Sequence, residues 1–129
     1  MISTELKSHF LRLYQMAFAD DNFHELELKM LYDFAKQRGI TEEQLNKILL
    51  NPTFGISNIP STVIEKITYL YELCLLIWVD GMVDNNESTV LKKYIRLFGF
   101  EDENVDELAS YLLAEAKQGK PIETILNQL

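Results

Sequence analysis

Five candidate metal-ligating acids stand where a helical chain would turn a corner: Asp20 and Glu27 in the first half, and Asp80, Asp84 and Glu87 in the second. The first stretch reads Ala19-Asp20-Asp21-Asn22-Phe23-His24-Glu25-Leu26-Glu27, the second Val79-Asp80-Gly81-Met82-Val83-Asp84-Asn85-Asn86-Glu87. In each, an apolar helix closes on Asp, a short turn follows, and a new helix opens with Glu in its first turn. An aspartate at a helix C-terminus faces the negative end of the macrodipole, at a cost of a few tenths to about 1 kcal/mol. The amides of the next helix can compensate it, as can a basic side chain or a bound cation. Each corner brings its Asp back toward the Glu seven residues on, so a twofold pairing would gather Asp20, Glu27, Asp80 and Glu87 around one site. Asp84 is a fifth candidate ligand, and His24 is its counterpart. An all-oxygen donor set selects Ca²⁺, Mg²⁺ or Mn²⁺ over zinc, and the spacing is not that of an EF-hand loop. A plain structural reading covers part of the same pattern. Asp84 with Glu87 makes a capping box, Phe23 can staple onto Leu28, and Gly81 permits a positive φ. Each such cap contributes about 0.5–2 kcal/mol without any ligand.

No other constellation competes. Cys74, between Leu73 and Leu75, lacks the electropositive setting that makes a thiol reactive and reads as core. His9 and His24 are too few for a histidine metal centre. No phosphate-cradling Gly-rich loop, Gly-x-Ser-x-Gly or catalytic Cys/His spacing occurs, so the expectation is a protein without enzymatic activity and without an organic cofactor. A metal-dependent hydrolase using the same carboxylates is the remaining catalytic alternative. Twelve basic against twenty acidic residues give a net charge of −8, which argues against nucleic acid and anionic membranes and for a basic protein partner if there is one. The longest apolar run, Leu73 to Val79, is too short to span a bilayer, and Glu5 and Lys7 interrupt what would be a signal segment. A cytoplasmic location is expected.

The elements that must position these residues are all helices. With 129 residues, 47% hydrophobic and only five Gly and three Pro, the chain suits one domain with one core. One stripe runs through Leu6, Phe10, Leu13, Tyr14, Ala17 and Phe18, and a second through Leu28, Leu31, Tyr32 and Ala35 up to Gly39. Thr41-Glu-Glu-Gln44 opens a short helix carrying Leu45, Ile48 and Leu49, and residues 52–60 form a loop. A helix over about Ser61–Asp80, apolar all round in its second half, belongs at the centre. Further helices end near Gly99 and Gly119, and Pro121 suits the first turn of a terminal helix bearing Ile122, Ile125 and Leu126. Sliding the chain by sixty residues aligns 10–49 with 70–109 without a gap: Leu13 meets Leu73, Asp20 Asp80, Glu27 Glu87, Leu31 Leu91 and Gly39 Gly99. The matches fall at structural punctuation, which predicts two copies of a helix–corner–helix–helix unit related by a pseudo-twofold.

A helix ending in Ala/Val-Asp-Gly, then a hydrophobic residue, a cap and Glu, then an apolar helix closed by Gly, resembles the TerB-like family. That group includes bacterial tellurite-resistance TerB proteins and the N-terminal domain of a membrane-anchored DnaJ-type co-chaperone. Residues 79–87 carry the likeness most closely, and 19–27 depart from it with Asp21 in place of the usual Gly. The resemblance implies an all-α, internally duplicated bundle of about seven helices, acidic corners suspected of holding metal, and a role in bacterial stress response, protein assembly or membrane-linked complexes rather than a known catalytic step. Asp20, Glu27, Asp80 and Glu87 match the family's acidic positions, with Asp84 a weaker match. No J-domain follows, so co-chaperone activity does not transfer.

Overall fold

The computed structural model describes residues 2–17, 25–50, 58–81, 83 and 85–128, and of Asp80 the backbone alone. Among them are seven α-helices and no strand: α1 (Thr4–Ala17), α2 (Glu25–Gln37), α3 (Glu42–Leu50), α4 (Val63–Ile77), α5 (Asn85–Leu97), α6 (Asp102–Lys117) and α7 (Ile122–Asn127). The all-helical architecture expected from the hydrophobic periodicity is therefore present.

Helix α4 forms the axis. It packs against α1, α2, α5, α6 and α7, and Leu70, Leu73, Cys74, Leu76 and Ile77 are fully buried along it. Burying an aliphatic side chain of this size contributes about 1.5–3 kcal/mol, so these positions hold the bundle together from within. Around the axis each amphipathic helix turns one stripe inward: Phe10, Leu13 and Met16 from α1, Leu31 and Ala35 from α2, Leu91, Tyr94 and Ile95 from α5, and Val105, Ala109 and Leu112 from α6.

Local chemistry sets the helix ends. At α3 the hydroxyl of Thr41 accepts the Gln44 amide N–H (3.1 Å) while the Gln44 side chain accepts the Thr41 N–H (2.9 Å), the expected reciprocal box. The ends of α2 and α5 share one design. Gly39 (φ 73°) and Gly99 (φ 91°) are left-handed, and each is followed by an apolar residue whose amide returns to the helix: Ile40 to the Ala35 carbonyl (2.9 Å), Phe100 to the Ile95 carbonyl (3.4 Å).

Three boundaries differ in detail from the sequence reading. Helix α4 begins at Val63 because Thr62 is its cap, its hydroxyl accepting the Glu65 N–H at 3.1 Å. Its α-geometry stops at Ile77; a 3₁₀ turn over Trp78–Asp80 follows, closed by left-handed Gly81, whose N–H donates to the Trp78 carbonyl at 2.8 Å. Pro121 is the cap of α7 rather than its first helical residue, with φ −65° and ψ 150°. Phe18 and Phe23, and all of the expected 52–60 loop except residues 58–60, lie outside the described residues. No helix among those described is long and apolar enough to cross a membrane.

Candidate functional site

Two of the five predicted ligands, Glu27 and Glu87, occupy the same place in two different helices. Each is the third residue of its helix, α2 and α5 respectively, and each is only 3% exposed. A carboxylate there lies over the unpaired amides of the first turn, at the positive end of the macrodipole. Burial of a charge is costly unless it is compensated, so both positions are specialised compared with the exposed Glu25 and Asn85 that open the same helices. Asp20 and Asp84 lie outside the described residues, as do Asp21 and His24. Asp80 is placed through its backbone alone, as the last residue of the 3₁₀ turn and immediately before Gly81. Among the described residues, no three His, Cys, Asp or Glu side chains come together as a metal-binding group.

A second polar cluster, centred on Glu72, went unrecognised in the sequence. His9 Nε2 lies 2.7 Å from Glu72 Oε1, and Arg38 Nη2 donates to the same oxygen at 2.6 Å. Tyr69 stacks on the His9 ring, centroids 4.0 Å apart and planes 10° from parallel. Burial strips His9 of water and holds its pKa down to about 4, against the opposing pull of Glu72. The ring is therefore neutral near pH 7. Because a carboxylate only accepts, Nε2 carries the proton and donates it. Burial also pushes the Glu72 carboxyl upward, but the hydrogen bonds from His9 and Arg38 outweigh that push and leave it below the usual carboxylate range. The result is an ionised Glu72 paired with Arg38 and steadied by a neutral histidine.

Beside this cluster, Arg12 is buried with its guanidinium 4.7 Å from the centre of the Phe98 ring and its Nη1 donating to the Asn58 carbonyl at 3.3 Å. The Asn58 side-chain amide in turn donates to Ser8 Oγ at 3.1 Å. Tyr94 donates its hydroxyl to Gln15 Oε1.

The arrangement ties α1, the turn after α2 and α4 together. His9 has no exposed surface, whereas a general base must reach the proton it removes. The hydroxyls of Thr68 and Tyr71 on α4 donate to the main-chain carbonyls of Ile64 and Lys120. Two signals could have disclosed the cluster from the sequence. Glu72 is the only charged residue between Tyr69 and Val79, and Arg12 sits between Leu11 and Leu13 inside the α1 apolar stripe. A charge that interrupts an otherwise apolar segment implies a buried partner.

No protein-family model matches the chain, and neither does any curated protein or solved structure.

Proposed function

We propose that the chain is a non-enzymatic bacterial module of TerB-like, internally duplicated architecture whose acidic helix corners take a divalent cation, and that the cation tunes its assembly with a protein partner in a stress response. The observation that carries this reading is the matched burial of Glu27 and Glu87 at the third positions of two helices that start sixty residues apart, at Glu25 and Asn85. The two helices have the same length of thirteen residues and end on glycines of the same hand. Gene duplication gives such a pairing directly; two unrelated corners would have to converge on it.

Glu27 and Glu87, with Asp20, Asp80 and Asp84 as the further candidates, supply hard oxygen donors of the kind that Ca²⁺, Mg²⁺ and Mn²⁺ prefer. The bound ion would offset the mutual repulsion of these carboxylates and fix the angle at which each helix leaves its corner. A specific observation also favours a purely structural reading, in which the chain is a helical interaction domain without metal: a glutamate in the first turn of a helix is stabilised by the helix itself.

Thermal unfolding separates the two. Under the cation reading, millimolar Ca²⁺, Mg²⁺ or Mn²⁺ raises the melting temperature, as any ligand of the native state must, and Asp20→Asn with Asp80→Asn abolishes the increase. A melting temperature indifferent to all three ions leaves the structural reading standing. Turnover on a phosphoester or peptide panel, lost in Asp80→Asn, would instead establish a hydrolase.

A further inference from the structure

We propose that the groove between α4 and α6 docks a basic amphipathic helix of a partner protein. The groove encloses about 380 Å³ and is lined by Val63 and Ile67 of α4, Phe100, and Asn104, Glu107, Leu108 and Tyr111 on or before α6. Its walls are apolar apart from Asn104, the Glu107 carboxylate and the Tyr111 hydroxyl, and the latter is already bonded to Gln128. Val63 is 59% exposed at its mouth, and Ile64 beside it is 62% exposed. Two β-branched side chains held out to water on the first turn of the central helix extend the apolar surface beyond the groove itself.

Charge chooses the occupant. Helix α6 bears Asp102, Glu103, Asp106, Glu107 and Glu115 before its single basic residue, Lys117. Asp102, Asp106 and Glu115 are paired with Arg96, Lys92 and Lys120. Glu107, which lines the groove, and Glu103, one helical turn before it on α6, are exposed and pair with no basic residue among those described. Lys66, whose ammonium lies beside Gly99, is not part of the groove's lining. An apolar trough with the Glu107 carboxylate in its wall and Glu103 one turn away on the same helix matches a helix that lays Leu-type residues at i and i+4 into the trough and sets Lys or Arg against Glu107 and Glu103. A second copy of this chain, at −8, or an anionic bilayer would meet the same carboxylates with repulsion. The inference stands on other residues than the corner carboxylates and does not depend on a cation there.

The test uses a fluorescein-labelled fourteen-residue helical peptide of alternating Leu and Lys faces, with a Leu/Glu peptide of the same apolar face as its control, in fluorescence anisotropy against the full chain. Binding of the Leu/Lys peptide alone is expected, weakened at least about fivefold between 50 and 300 mM salt, because charge pairs at an exposed rim are screened. Glu103→Gln with Glu107→Gln should weaken it about tenfold, and Val63→Ser should weaken it several-fold without altering the salt dependence. All three positions are exposed, so these variants fold. Equal binding of both peptides, indifference to Val63→Ser, or no binding at low salt overturns the proposal. Concentration-dependent dimerisation lost in Val63→Ser also overturns it, by assigning the groove to a second copy.

Discussion

Burial decides the charge state of His9, and that has a consequence for acid stability. The unfolded chain takes up a proton on this histidine near its ordinary pKa of 6.5, whereas the folded protein resists until about 4. Between those values the unfolded state binds more protons, so stability falls as the pH drops through that window, by about 3 kcal/mol for a shift of this size. Glu72 acts in the same direction further down: its depressed carboxyl stabilises the fold above its ordinary range, and that contribution is lost as the pH falls through the lowered value. Urea unfolding at pH 7, 5.5 and 4.5 checks this. The wild-type protein should lose stability across the series, while His9→Phe, which keeps a ring against Tyr69, should flatten the loss between pH 6.5 and 4.5. Equal slopes would show that the histidine is protonated in the fold. Cys74 lies at the opposite extreme of reactivity. It is buried, and burial pushes its thiol far up, so a disulfide reagent should leave it unmodified until denaturant is added. Rapid labelling of the native protein would place the central helix wrongly.

At the scale of elements, the helices were readable because each carries its own punctuation. The Thr41–Gln44 box, the left-handed glycines 39 and 99 and the helical spacing of Phe10, Leu13 and Ala17 or of Leu28, Leu31 and Ala35 are local signals, and local signals survive in a single sequence. The α-geometry of α4 stops a turn before the expected end, where Trp78–Asp80 are 3₁₀ and the Trp78 indole N–H donates to the Leu113 carbonyl, 2.7 Å away on α6. That is a tertiary contact, which spacing along one helix does not encode. The Glu72 cluster is hidden in the sequence for a related reason: apart from Tyr69 on the same helix, its members come from α1 (His9) and from the turn after α2 (Arg38). Of the candidate ligands, Glu27 and Glu87 were legible as the first-turn residues of two recurring corners, but not their burial, since that depends on what the bundle packs over them. The glycine endings give a direct test. A side chain at Gly99, where φ is 91°, is forced into left-handed backbone at a cost of about 1–2 kcal/mol, more for a β-branched residue. Gly99→Val should lower the unfolding free energy by at least that amount, whereas an exposed position such as Lys93→Val should change it by less than about 1 kcal/mol.

For the molecule as a whole, five other helices share the surface of α4, and the expected outcome is that the bundle unfolds as one cooperative unit. Leu76, fully buried on that axis, should cost about 2–5 kcal/mol on replacement by Ala and should lower the melting temperature in a single transition by every probe. Two separated transitions would mean that the halves fold independently. The same geometry explains how an ion at the corners would be felt throughout: Asp80 ends the 3₁₀ extension of α4, and Glu87 lies in the first turn of α5, which packs against α4, α6 and α1. A ligand bridging such points stabilises the whole native state rather than one loop.

The most direct test of the central claim is a crystal grown with millimolar MnCl₂ and measured at the manganese absorption edge. The cation reading predicts an anomalous peak within about 2.5 Å of carboxylate oxygens drawn from Glu27, Glu87 and Asp80, and its loss in Asp80→Asn crystals. Carboxylates at these positions bonded only to amides and basic side chains, with no anomalous peak beside them, would contradict it.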